Sequence, residues 1–597
     1  MSPVLRRGQI IGNCGPGAIV DIGDESFVTC SIDHWKNMAP CLLSRLALRL
    51  GVLELKQPVT NGNVFGGIPE SVTLCRFPKW MFCQSCRRMD RWNLKKEREL
   101  LLNKKPSCNH CNSKLALVPM RFVQICEEGH LGDVDWNWWV HCAAQEPCQN
   151  RDASVLKFIA SGDAGSGLGS LSVKCSTCRA IRYFGDIKIP MKCSGLQPWQ
   201  QINEGQPCEA KAVVVQRGDS NVYFPNVISA LDLPAEVLGG TDQLLDLHRN
   251  NPLVEILKGV YRDLQAGGGD ASGLDPAILR NAIKLGIDPA ELRKLIISEN
   301  LIENPVKIST CVATAELKAE EFIAISQPSE FSSSTFCGSS YKPSTFSMGT
   351  QLSTMIESVS LISRLREVRA FSGFHRMVPG GAEKLVPAAL RSIGNWLPAC
   401  EVFGEGIFIR LSAKALDLWI RNLSSEEINR VDRLGKRILK QGIHYLPPPS
   451  PILLAVHSLS HALIRQLSFD CGYASSSLRE RIYCDTPDRT GVLIYTADGD
   501  SEGTLGGLIR QGQSDRLQAL VGRALQASSW CSGDPLCREG ENQGMAGLNR
   551  AACHACLLVS ETSCEFANVL LDRRLLVGDE GSSQGLFNDV MQEMGIS

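Results

Sequence analysis

The sequence predicts an α+β, multidomain protein with several zinc-ribbon modules, a helical middle region and a C-terminal α/β zinc-binding domain. Three observations predict it. The chain holds 25 cysteines in 597 residues, many in CxxC pairs, the spacing at which two thiolates on one turn reach a single zinc ion. Between about 231 and 326 cysteine almost disappears and apolar residues recur at helical intervals. Beyond 447 a long apolar helical stretch, a β-branched run and a second dense group of cysteines follow one another.

Composition bounds the rest. A hydrophobic content of 44% and a charged content of 21% are those of a globular protein, and the length implies several domains. No apolar run approaches the roughly 20 residues that span a bilayer. The opening MSPVLRRGQIIGNCGPG lacks the continuous apolar core of a signal peptide, so the expectation is a cytoplasmic protein. In that reducing compartment paired cysteines point to metal rather than disulfides. The net charge of −1 carries no information on partners until charge is mapped locally. The segments expected are 1–75, β-rich; 76–230, basic and multi-zinc; 231–326, helical; 327–351, a Ser/Thr-rich linker; 352–446, an α/β connection; and 447–597, the last zinc-binding domain.

In the first segment, Gln9–Ile11, Ala18–Ile22 and Ser26–Cys30 read as short β-elements between turn residues. GNCGPGAIVDIGD is glycine-rich but lacks the GK[ST] ending of a phosphate loop, so it reads as a turn scaffold. Next, Cys83-x₂-Cys86 and Cys108-x₂-Cys111 are two knuckles that clasp one Zn²⁺ as a ribbon. Twelve Lys and Arg against three acidic residues between 76 and 121 leave an excess of nine positive charges. Arg87, Arg88, Arg91, Lys95 and Lys96 are the candidate nucleic-acid contacts, with Trp80, Phe82 and Trp92 beside them for stacking. The competing reading is a solvated face or one that meets an acidic protein.

The stretch RFVQICEEGHLGDVDWNWWVHCAAQEPC offers a second site from Cys126, His130, His141 and Cys148, since adjacent His141 and Cys142 ligate one ion poorly together. Asp133 and Asp135 beside His130 suggest a catalytic cluster only as a minority reading, and Trp136, Trp138 and Trp139 read as core. A third site takes the Cys175-x₂-Cys178 knuckle and closes it with Cys193 and Cys208. Filled Cys₄ coordination leaves no position for water, which marks such modules as rigid supports rather than catalysts.

The middle is helical, with DPAILR (275–280) and DPAELR (288–293) as two helix starts. Residues 352–370 are expected as a helix that continues into ISRLREVRAFSGFHRM and presents Arg364, Arg366, Arg369 and Arg376. GEGIFIRL (404–411) is expected as a buried strand, and SSEEINRVDRLGKRILKQG as a Ser-capped helix. PPPSPILLAVHSLSHALIRQLS starts a long helix after a proline stop. His457 and His461 stand four apart on it, as in zincins, but Ser458 occupies the place of the general-base Glu and no third ligand is evident. They read as hydrogen-bonded structural histidines. Asp498, Asp500 and Glu502 read as helix-capping acids, with divalent-metal binding as the alternative. Last, Cys553-x₂-Cys556 and Cys564 form a zinc site whose fourth thiolate comes from Cys537 or Cys531.

The glycine turn followed by CxxC-x₇-C resembles the zinc-binding (MZB) domain at the C-terminus of Mrf-type DNA-repair helicases. HSLSHALIRQLSFDCGYASSSLRERIY, DSEGTLGGL, AACHACLLVSETSCE and the N-terminal RRGQIIGNCGPGAIVDI are similar to the DrmB family of the DISARM anti-phage system, and the likeness extends over most of the chain. The chain carries no GxxxxGK[ST], DExx box or G-x-S-x-G elbow in usable form. The resemblance implies a non-enzymatic antiviral-defence subunit that partners a Swi/Snf-like DNA helicase, DrmA, in a hetero-complex that recognises phage DNA. It also implies a functional link to a methyltransferase that marks self DNA. Three to four structural Zn²⁺ ions are expected. The rival readings are a metal-dependent nuclease and a protein–protein scaffold that touches no DNA.

Overall fold

The computed structural model describes residues 5–596 apart from 60–63, 66–67, 70–71, 100–104, 143, 145–147, 150–154, 161–166, 188–190, 202–204, 235–251, 267–270, 286–287, 291, 294–295, 297–309, 329–331, 344–348, 378–384, 390–395, 444, 497–505 and 580–584. Asp498, Asp500 and Glu502 lie outside the described residues, as do most of the 161–170 loop and residues 329–331 and 344–348 of the expected 327–351 linker, whose described part contains a strand, Phe336–Tyr341, paired with Ile356–His375. The chain forms two compact units, each assembled from separated segments: Met1–Pro40, Lys56–Val227 and Ala370–Cys400 in one; Cys41–Leu55, Ile228–Arg369 and Glu401–Ser597 in the other.

The first unit is a set of small antiparallel sheets. Ile19–Ile22 pairs with Glu25–Thr29, which pairs with Leu74–Arg76. The third expected element of this segment, Gln9–Ile11, is instead part of a helical turn, Arg7–Ile10, where the Arg6 N–H donates to Gln9 Oε1 and the Gln9 N–H to the Arg6 carbonyl. Gly17 sits at φ 84 with the Phe374 ring where a Cβ would be, so close packing and a left-handed turn explain this glycine. Three further sheets follow: Leu117–Pro119 / Trp80–Cys83 / Met89–Arg91; Leu131–Asp133 / Phe122–Ile125 / Lys211–Gln216 / Met191–Lys192; and Leu156–Ala160 / Leu171–Cys175 / Ile181–Tyr183. Sheets of three short strands bury too little to stand alone, which is why such modules recruit metal.

The second unit is organised on a sheet that, by its residues in this unit, runs in the order Phe224–Leu231, Ile356–His375, Trp396–Leu411, Thr490–Thr496, Leu478–Cys484. Its largest core packs the helix Pro451–Cys471 with Ala413–Asn422, Ser425–Lys440 and Ser514–Ser529. Pro451–Cys471 starts where Ser450 accepts from the Leu453 N–H and Pro451 takes the first turn, and ends at Gly472 with φ 72. By length and composition it is the one helix among the described residues able to cross a membrane, yet 83% of its apolar window is buried inside the fold. It is a core helix.

The segment expected as a helix over 352–370 is a strand: only Thr350–Met355 is helical, and Ile356–His375 is extended. Glu, Leu and Arg favour helix locally, but propensity is a weak prior beside a full set of cross-strand hydrogen bonds. Burial on both faces removes the polar/apolar alternation that would have marked a strand. Its arginines are held in place by partners rather than displayed. Arg366 donates to Glu401 and Asp232, both at 2.8 Å, and Arg369 to Glu367 at 2.7 Å. In the first unit Arg376 donates to the carbonyls of Gly17, Val222 and Gly129 and lies over Trp199 and Phe374. Only Arg364 of the four is exposed.

A carboxylate ties this unit together. Glu321, on the helix Thr310–Ser326 and fully buried, accepts from Arg45 (3.0 Å), Arg481 (2.9 Å), the Leu231 N–H (2.9 Å) and the Tyr483 hydroxyl (3.2 Å). Glu321→Leu leaves the buried Arg481 guanidinium without its counter-ion and leaves Arg45 with Glu320 alone. It is expected to destabilise this unit by about 3–5 kcal/mol, read as a lowered urea midpoint for the full chain.

Candidate metal centres

Among the described residues, sixteen of the seventeen candidate ligands gather into four clusters of four. The first is the expected ribbon: Cys83, Cys86, Cys108 and Cys111. Cys83 ends its strand, and the knuckle turns back through Arg87, whose N–H donates to the Cys83 carbonyl at 2.9 Å. The sulfurs stand 3.7–3.8 Å apart. Zinc with bonds of about 2.3 Å to four sulfurs in a tetrahedron sets them about 3.8 Å apart, whereas a disulfide needs about 2.05 Å. The cluster therefore fits a zinc ion and no bridge. A hydrogen bond from the Ser113 hydroxyl, foremost, draws Cys111 down to about 6.

The next two sites interleave in a way the sequence order does not show. Cys126 and His130 meet Cys193 and Cys208, while His141 and Cys148 meet Cys175 and Cys178. The four-stranded sheet causes the first pairing. Ile125 lies opposite Val213 and Met191 opposite Ala212, so Cys126, Cys193 and the segment after Cys208 arrive at one end of it. Cys126 is drawn down to about 4, chiefly by a hydrogen bond from the Cys193 thiol. The tryptophans cause the second. The short helix Trp136–His141 packs Trp139 on Phe184, 5.2 Å between ring centres, beside the hairpin that carries the Cys175/Cys178 knuckle. His141 donates Nδ1–H to the Asn137 carbonyl at 2.6 Å, and its Nε2 is buried without a hydrogen bond, free to ligate. Cys142 joins neither cluster. Asp133 accepts from the N–H groups of Lys79 and Trp80, and Asp135 caps the tryptophan helix, so both acids hold backbone.

The fourth cluster takes both candidates for its last ligand: Cys531 and Cys537 with Cys553 and Cys556. The Cys531–Cys553 sulfurs are 3.5 Å apart and Cys537–Cys556 3.8 Å, again the edges of a zinc tetrahedron. Cys564, expected here, lies elsewhere: its sulfur is 3.2 Å from His457 Nε2. The Cys553-x₂-Cys556 knuckle and the Cys531-x₅-Cys537 pair already fill four positions, leaving no vacancy for a fifth sulfur.

The basic residues fall in two classes. Arg87, Arg91 and Lys95 are exposed, and Arg88 and Lys96 half-buried, with Lys96 paired to Asp90 at 2.9 Å. The aromatics do not join them at the surface. Trp92 is buried against the first cluster, and Trp80 and Phe82 pack on the neighbouring core, Phe82 at 4.8 Å from Phe158.

Comparison with known proteins assigns these regions. Residues 6–224 match a domain of unknown function, DUF8724, and residues 459–557 match the MrfA Zn-binding domain. Over 495 residues, 79% of this chain and 82% of the relative, the sequence is 31% identical to DISARM protein DrmB of Bacillus paralicheniformis. The chain belongs to the DrmB family. The DUF8724 segment of this DrmB-family chain thus contains all three N-terminal clusters, and the MrfA-type segment contains the fourth.

One residue behind the fourth cluster escaped sequence reading. Arg573, fully buried, donates to both Asp534 oxygens (2.8 and 2.9 Å), to the Ser528 carbonyl and to the Ala551 carbonyl. Asp534 in turn accepts from the Cys531 N–H. One guanidinium thereby joins the loops of both halves of the site. Arg573→Lys, which cannot reproduce the fork, is expected to speed zinc loss to a chelator by about 10–100-fold, followed with a zinc-sensitive dye.

Proposed function

We propose that this chain is the zinc-stabilised, non-catalytic partner of a Swi/Snf-like DNA helicase in a DISARM-type anti-phage system, working in the cytoplasm beside a methyltransferase that marks self DNA. The observation that carries the reading is the 31% identity to DISARM protein DrmB across 82% of that protein. Closed coordination by four protein ligands suits support rather than turnover. In this reading zinc supplies rigidity to loops too short to hold themselves.

DNA contact is proposed through phosphate rather than through base stacking, because the aromatics near the ribbon are packed inward. Two arginines support it. Arg87 and Arg179, each just after the second cysteine of a knuckle, hold φ of 60 and 65, where glycine is relaxed and other residues are strained. Both side chains are exposed. An arginine at either position presents its charge at a backbone cost that glycine would not incur.

The test is purification of the tagged chain from its own cell, with DNA-stimulated ATP hydrolysis compared between eluate and lone chain. A stoichiometric helicase with ATPase activity only in the eluate is the expected result. Absence of a helicase, or DNA cutting by the lone chain, overturns the reading.

A further inference from the structure

Four donors that no matched family segment unites converge inside the second unit. His457 and His461 lie one turn apart on the core helix Pro451–Cys471, Glu480 comes from the strand Leu478–Cys484, and Cys564 from the loop beyond the Cys553/Cys556 knuckle. Their ligand atoms all lie within 4.8 Å of one another. His457 Nε2 is 3.2 Å from Cys564 Sγ and 3.2 Å from Glu480 Oε1, and His461 Nε2 is 3.6 Å from the same oxygen. The segment that matches the MrfA Zn-binding domain, 459–557, includes His461 and Glu480 but neither His457 nor Cys564.

The surroundings fix which atoms face inward. The Nδ1–H of His457 donates to the Leu570 carbonyl at 3.2 Å and that of His461 to the Leu557 carbonyl at 2.9 Å, so both rings aim Nε2 at one point. The far oxygen of Glu480 accepts from the Ser460 hydroxyl at 2.6 Å, and its near oxygen from the Glu565 N–H at 3.0 Å. Cys564 Sγ accepts from the N–H groups of Phe566 (3.3 Å) and Asn568 (3.2 Å), the bonds a ligating thiolate receives.

Hydrogen bonding alone leaves this cluster incomplete. His457, His461 and Glu480 are fully buried, and His461 Nε2 makes no hydrogen bond. With both Nδ1 protons committed to carbonyls, the single thiol proton satisfies only one of the two lone pairs. A divalent cation satisfies all four donors at once, and its charge balances one thiolate and one carboxylate with two neutral imidazoles. Zinc bond lengths at tetrahedral angles place N and S about 3.6 Å apart and N and O about 3.3 Å apart, close to the separations found here.

We propose that His457, His461, Glu480 and Cys564 bind a further divalent transition-metal ion, zinc, in a closed structural site. It pins the core helix to the sheet and to the loop that leaves the Cys553/Cys556 knuckle. Leu557, the residue after Cys556, accepts from the His461 ring, so the two C-terminal sites share an outer shell.

The experiment is metal counting by mass spectrometry on the full chain purified without added metal, for the wild type, Cys564→Ser and Glu480→Gln. The expected result is one zinc fewer per chain in Cys564→Ser, with the other sites still filled. Equal zinc content in wild type and Cys564→Ser overturns the proposal. Should that variant fail to fold, X-ray absorption at the zinc edge of the wild type decides. A nitrogen and oxygen share greater than His130 and His141 supply supports the site, and a share equal to theirs overturns it.

Discussion

Cys556→Ser is expected to lower the zinc content by one ion per chain and to abolish the cooperative thermal transition of the C-terminal region. From Trp530 to Leu571 the described chain has only short helical turns and isolated bridges, so few backbone hydrogen bonds hold it in place. Structural zinc in comparable sites contributes an apparent 10–16 kcal/mol at pH 7, about as much as or more than a whole domain's net stability. The cost reaches the long helix, because Cys531, Cys537 and Cys556 belong to the same apolar core as Pro451–Cys471. Circular dichroism melts with parallel metal analysis check it, and a melt unchanged after zinc loss would refute it. Acid acts in the same direction. Burial pushes Cys553 up, but the Ala555 N–H and the Cys531 thiol outweigh it and hold Cys553 at about 7. Protons compete with zinc for the four thiolates as pH falls, so zinc retention and stability decline together.

Arg87→Gly with Arg179→Gly is expected to keep fold and zinc while weakening DNA binding. Glycine relieves the positive φ at both positions, so stability is unchanged or rises by about 0.5–1 kcal/mol. Each removed phosphate contact flattens the dependence of log affinity on log salt by about 0.9. Adding Arg91→Glu and Lys95→Glu is expected to flatten it by about 3–4 in total and to lower affinity on the order of a hundredfold at low salt. Fluorescence anisotropy of the purified helicase complex across a salt series reads both quantities. A parallel, undiminished salt slope would place the DNA contact elsewhere.

Much of the fold and of the site was legible from residue types and local spacing. CxxC pairs marked the knuckles because two thiolates on one tight turn suit zinc regardless of what surrounds them, and the ribbon Cys83/Cys86/Cys108/Cys111 needed nothing more. Caps and prolines marked Pro451–Cys471 and Ser425–Lys440, because helix starts are governed by a few neighbouring residues. Tertiary structure alone decided the partners of isolated ligands. His130 and Cys193 are joined by strand register, and His141 and Cys175 by tryptophan packing, neither of which sequence order encodes. Tertiary structure also turned Ile356–His375 from an expected helix into a strand, since cross-strand hydrogen bonds and buried ion pairs outweigh local preference. It set Glu480 and Cys564 against the His457/His461 pair, which had no visible third ligand along the chain. Coordination is a condition on distances in space, and the sequence fixes those only where both ligands share one turn.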